Sequence, residues 1–174
     1  MALQLFKIAD VTVASPQSTI EFTSIPTGYT DLIIKLNGRS SLGQIYGGGT
    51  LRFNGDSAQN KYETRRVYGS GSAVDSSTWV NGSDSDGIKG WNVVGNNSTA
   101  STFSSNEFYI PNYRGSTNKS VSLDEVTENN ATTSYAGIFA AIWKDTSAIT
   151  SVAIVSNSGT TFSTNSTATL YGVL

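Results

Sequence analysis

Residues 120–126 read SVSLDEV, and in them Val121 and Leu123 alternate with Ser122 and Asp124. One face of an extended chain is then apolar and the other wet, which is the period of a strand and not of a helix. The same pattern recurs on both sides. In DLIIKLNGR (31–39), Leu32, Ile34 and Leu36 face one way while Ile33 and Lys35 face the other. SYAGIFAAIWK (134–144) is apolar on both faces, which predicts a central strand, with Gly137 and the alanines allowing close sheet packing. Strands are predicted at 4–13, 18–23, 31–37, 50–54, 61–68, 103–110, 119–126, 134–143, 149–156 and 167–173. About ten short strands separated by turn residues predict an all-β fold: a single-domain, jelly-roll-like β-sandwich over 1–174.

Two stretches depart from this regularity. The segment 1–15 is expected either as a core strand or as an N-terminal arm added to a neighbour's sheet. The stretch 69–101 is rich in Gly, Ser, Asn and Asp and is predicted to be one long loop carrying Trp79 and Trp91. Pro16 and Pro26 fall between strands, where a missing N–H is tolerated.

Composition excludes whole classes of chemistry. The chain has no cysteine and no histidine, which removes thiol nucleophiles, Ser-His-Asp triads and the usual zinc sites. Any catalysis falls to carboxylates, lysines, hydroxyls or an oxygen-ligated cation. Charged residues make up 14% of the chain, well below the average of about 25%, and the net charge is −2. No nucleic-acid partner is therefore expected. Lys7 and Asp10 interrupt the apolar start, which reads as the protein's own beginning and not as a signal peptide. No run approaches the roughly 18 apolar residues of a membrane span, so no membrane partner is expected.

Four places invite a functional reading. TLRFNGDSAQNKYETRRVYGSGS (50–72) centres on Asn54-Gly55, a strong turn signal, and predicts a β-hairpin with a charged outer face. Lys61, Glu63 and Arg65 would share one strand face and Tyr62, Thr64 and Arg66 the other, with Arg65 and Arg66 as polar anchors for a protein partner. In NGSDSDG (81–87), Asp84, Asp86 and Gly87 echo a calcium loop. Gly82 stands at the first ligand position and Val93 at the last, so a self-capping loop is predicted and no metal. Asp124, Glu125 and Glu128 offer carboxylates for a glycosidase pair, but adjacent strand residues point to opposite faces and no catalytic residue is assigned. Trp79, Trp91 and Tyr46 would either stack on sugars or anchor an interface, or fold back on the core edge. YGGGT (46–50) lacks the Lys-Ser/Thr end of a phosphate loop, and no cofactor is expected.

Three phrases carry a resemblance: IEFTSIPTGYTDLIIKLNGRSS (20–41), LRFNGDSAQNKYETRRVYGSGS (51–72) and AITSVAIVSNSGTTFSTNSTATLYGVL (148–174). Together they resemble a family of small virion structural proteins of tailed bacteriophages, most closely at the two ends of the chain and less across 73–133. The resemblance implies an all-β, jelly-roll-like protein with no enzymatic role, made in the host cytoplasm and carried on the capsid surface. It implies a decoration (cement) protein that binds the major capsid protein non-covalently at subunit junctions. A homo-oligomer is expected with it, a trimer first. The contacts expected are the N-terminal segment around Leu3, Leu5 and Phe6, the Arg65/Arg66 face, and the loop with Trp79 and Trp91. The alternative is a tail-associated or receptor- and glycan-binding module.

Overall fold

The alternating runs fold as twelve strands, with no helix among the described residues. The computed structural model describes residues 4–71, 73–79, 86–130 and 133–174, the side chain of Trp79 excepted. In chain order the strands are β1 (Leu5–Thr12), β2 (Thr19–Phe22), β3 (Asp31–Asn37), β4 (Tyr46–Phe53), β5 (Tyr62–Gly69) and β6 (Val74–Trp79). They continue with β7 (Asn92–Val94), β8 (Ser105–Ile110), β9 (Lys119–Val126), β10 (Ala136–Trp143), β11 (Val152–Ser156) and β12 (Thr167–Val173). An eight-stranded sheet runs β1-β12-β3-β8-β9-β10-β5-β6 and a four-stranded sheet runs β2-β11-β4-β7, every pairing antiparallel. The predicted all-β sandwich is the fold.

The topology separates a kernel from an extension. Strands β1, β2, β3 and β4, and again β7 and β8, then β11 and β12, alternate between the two sheets as the chain advances. The hairpins β5–β6 and β9–β10 interrupt that alternation. They pair with each other through β5 and β10 and prolong the large sheet beyond β8. Residues 5–12 run along β12 of their own chain, with a register shift between Lys7 and Ala9.

Between the sheets lies one apolar core built from Leu32, Ile34, Leu51, Phe53, Phe108, Leu123, Phe139, Ile154 and Leu170. At one end Phe53, Tyr62 and Trp143 gather, with Tyr62 stacked on Trp143 at 6.3 Å. The Tyr62 hydroxyl donates to the Asp56 carbonyl at 3.0 Å, and burial drives its ionisation upward. Lys61 bridges Asp56 at 3.0 Å and Asp145 at 2.7 Å, and its hydrogen bond holds Asp145 well below the usual carboxylate range.

Two sequence expectations are corrected. Asn54 and Gly55 do adopt positive φ, 54° and 68°, and the Asp56 N–H closes the turn on the Phe53 carbonyl at 2.8 Å. The turn makes no hairpin, however: β4 lies in the small sheet and β5 in the large one. Both edges of β4 are already occupied, by β11 and β7, so the chain must cross to the other sheet. The 69–101 stretch is not one long loop either. It contains β6, a bridge from Ile88 to Leu51, and β7, and the turn beyond is held by buried Arg39, which donates to the carbonyls of Asn96, Ser98, Thr99 and Thr102.

Trp91 closes this end of the sandwich. It is 0% exposed, packs edge-on against Phe108 at 5.2 Å and donates from Nε1 to the Ile88 carbonyl at 3.0 Å. Its ring occupies the space that a Cβ on Gly49 would need, which accounts for a glycine inside β4. Gly49→Ala is therefore expected to cost about 1–3 kcal/mol in urea unfolding through overpacking. Trp91→Ala should cost roughly 3–5 kcal/mol. Gly43→Ala, where nothing lies within 4 Å of the added carbon, should be close to neutral.

Candidate functional site

The extension presents two different surfaces, because residues of a strand alternate between its faces. On β5, Glu63, Arg65 and Val67 point away from the core, while Tyr62, Thr64 and Arg66 point towards the small sheet. This is the alternation the sequence predicts, although Lys61 falls just before the strand.

The outward face is apolar where it is most accessible. Ile138 on β10 sits opposite Val67 on β5 and is 66% exposed, and Val67 is 52% exposed. Ala136 lies between Val126 and Gly69, and Val74 pairs with Gly69, so the apolar strip continues across β9, β10, β5 and β6. A shallow groove of about 490 Å³ adjoins it, lined by Arg65, Ala140, Ile142, Tyr109 and Pro111 among others. Arg65 Nη1 donates to Thr78 Oγ1 at 2.7 Å, and Glu63 pairs with Lys144 at 3.0 Å along the rim. An apolar centre with a charged border is the layout of a protein-contact surface, since a patch of this kind gains by being removed from water.

The inward side of the same strands forms a pocket of about 340 Å³ with the edge of β4 and β7. Arg66 lies over the Tyr68 ring, 4.1 Å from its centroid, and donates from Nε to Ser77 Oγ at 2.9 Å. Tyr46 meets Tyr135 edge-on at 4.8 Å, and Tyr68 lies 5.8 Å from Tyr135. Burial, with Tyr46 as a hydrogen-bond partner, raises the Tyr135 hydroxyl to about 12. Trp91, Gly48 and Gly49 lie at the base.

The expected contact residues scatter over these surfaces. Leu5 and Phe6 are exposed on β1, with Phe6 against Tyr29 at 5.9 Å. β1 is the opposite edge of the sheet from β6, so they do not join the arginines. Leu3 lies outside the described residues. Arg65 is on the outward face and Arg66 in the pocket. Trp79 ends β6 opposite Thr64, and its side chain is outside the described set. Trp91 is core and offers no contact surface, because the glycine run of β4 admits its ring.

The carboxylates are not brought together. Asp124 faces outward beside Glu107 and Ile138, while Glu128 accepts from the Asn130 N–H at 2.8 Å. Glu125 points into the core and accepts from the Asn92 N–H and Asn92 Nδ2, both at 2.9 Å. Asn106 Nδ2 in turn donates to the Asn92 carbonyl at 3.0 Å, so a buried polar chain ties β9 and β8 to β7 across the sandwich. Asp84 lies outside the described residues, and Asp86 is taken up by Arg52 and Lys89. Among the described residues no three acidic side chains gather to hold a metal ion.

Burial raises Glu125 to about 7, against the favourable hydrogen bonds from Asn92 and the charge of Arg66. The folded state thus holds a proton there that the unfolded chain releases near pH 4.5, so stability falls as pH rises from about 4.5 to 7 and then levels off. The loss is of the order of 3 kcal/mol. With no histidine in the chain, little else titrates between pH 5 and 8. Urea unfolding at pH 5 and pH 8 should show this slope in the wild type and a much flatter one in Glu125→Gln.

No family model, curated protein or solved structure matches the chain.

Proposed function

We propose that this chain is a non-enzymatic virion surface protein that decorates a tailed-bacteriophage capsid, docking on the major capsid protein through the outward face of the β5–β6/β9–β10 extension. The observation that carries the reading is the exposed apolar strip around Ile138 and Val67, bordered on the same face by Glu63, Arg65 and Asp124. Two further points support it. The phrases at 20–41, 51–72 and 148–174 resemble small phage virion proteins. We read the kernel order β1-β12-β3-β8 over β2-β11-β4-β7 as a jelly roll, an architecture that viral capsid and lectin domains use, so this second support is analogy of fold.

The mechanism is mass action. A copy that binds only the assembled lattice stabilises it by roughly 2.7 kcal/mol per site at a hundredfold excess over Kd. Apolar area supplies the affinity, while Arg65 and its charged neighbours set the register. A trimer places three such faces around one junction, so that modest contacts act together.

Purified protein added to mature capsids lacking it should co-sediment at a fixed number of copies per capsid and raise the shell's melting temperature. Ile138→Glu and Val67→Glu should abolish that binding with little change in the free protein's own melting temperature, since both side chains are more than half exposed. Absence of saturable lattice binding by the wild type overturns the reading.

A further inference from the structure

We infer that the pocket between Tyr46, Tyr68, Tyr135, Arg66, Lys89 and Asn92 binds an acidic saccharide, one uronate-like ring per chain. It lies on the other side of the extension from the apolar strip and does not rest on the docking proposal. Its volume of about 340 Å³ is at the small end of ligand-site sizes, which suits one pyranose ring.

The lining has the two kinds of group a sugar ring needs. A pyranose offers an apolar C–H face and a polar edge, and the three tyrosines provide ring surface and hydroxyls at one place. Gln44 lines the pocket with an exposed amide, while the Asn157 amide is turned onto the Gly48 backbone, donating to its carbonyl and accepting from its N–H, both at 3.2 Å. At β4 the wall is made of filled space: Trp91 packs against Gly49 and the Asn157 amide against Gly48.

The sign of the ligand follows from the charges. Arg66 and Lys89 both line the pocket, Lys89 paired with Asp86, and among the described residues no carboxylate lines it. Each cation is oriented beforehand, Arg66 over Tyr68 and by the Gly90 carbonyl, Lys89 by Asp86 at 2.5 Å. Little ordering is then left for binding to impose, a cost that weakens flexible sites. Asn92 is likewise fixed, by its two hydrogen bonds to Glu125. The sequence pointed to exposed tryptophans as the sugar platform. The tyrosines take that place because Trp91 is spent on the core.

The test is calorimetric titration of the full chain with trigalacturonate and, in parallel, with neutral maltotriose. Trigalacturonate should saturate one site per chain and weaken with added salt, and maltotriose should bind at least roughly tenfold more weakly. Tyr135→Ala should reduce trigalacturonate affinity by about tenfold or more. If that variant is poorly folded, Gln44→Ala, at an exposed lining position, gives the same comparison. Ile138→Glu should leave the titration unaltered, which separates this site from the docking face. Absence of binding at about 10 mM ligand, equal affinity for the two trisaccharides, or undiminished binding by the pocket variants would overturn the assignment.

Discussion

The ring of Trp91 seated against Gly49 is the contact on which the rest of this structure depends. A side chain on β4 at that point would push the indole out, and with it the short strand β7 that follows. Once the indole is in place, Asn92 falls beside Glu125 and the buried polar chain through Asn106 joins the two sheets. The tyrosine pocket adjoins this packing, with Trp91, Gly48 and Gly49 in its lining. One packing constraint thus closes the core and places the partner of its buried acid beside a surface cavity.

The kernel and the extension divide the work. The eight kernel strands hold most of the core, whereas the two inserted hairpins carry both candidate surfaces. Alternation along β5 gives Arg65 and Val67 to one side and Arg66 and Tyr68 to the other. On the proposed reading, a sheet that extends past its partner sheet can meet a lattice with one face and a ligand with the other. Neither event needs the kernel to move.

Much of this was legible in the residues. The strands around 31–37, 119–126 and 167–173 were read with the bounds they have, because each alternates apolar and polar over a full strand length. β6 was missed because VDSSTW has too few apolar residues to show a period, and β7 because three residues are too few to show one. Asn54-Gly55 announced its turn correctly, since the preference for positive φ is local. Which sheet the chain enters next depends on β4 already having two partners, which no local signal contains. In β10 the apolar residues on both faces were read as burial on both. Phe139 and Ala141 are indeed buried, but Ile138 is left in water, and that excess of apolarity is what marks the outward face. Trp91 and Glu125 could not be placed from sequence, because their environments are assembled from strands distant along the chain.

The most direct test of the central claim is an electron cryomicroscopy map of a capsid saturated with the protein, read for which face of the extension meets the lattice. Val67, Val126 and Ile138 should be covered, and the pocket bounded by Tyr46, Tyr68 and Tyr135 should open to solvent. A map with the lattice seated on the four-stranded sheet or over the pocket, and Ile138 facing water, would contradict it.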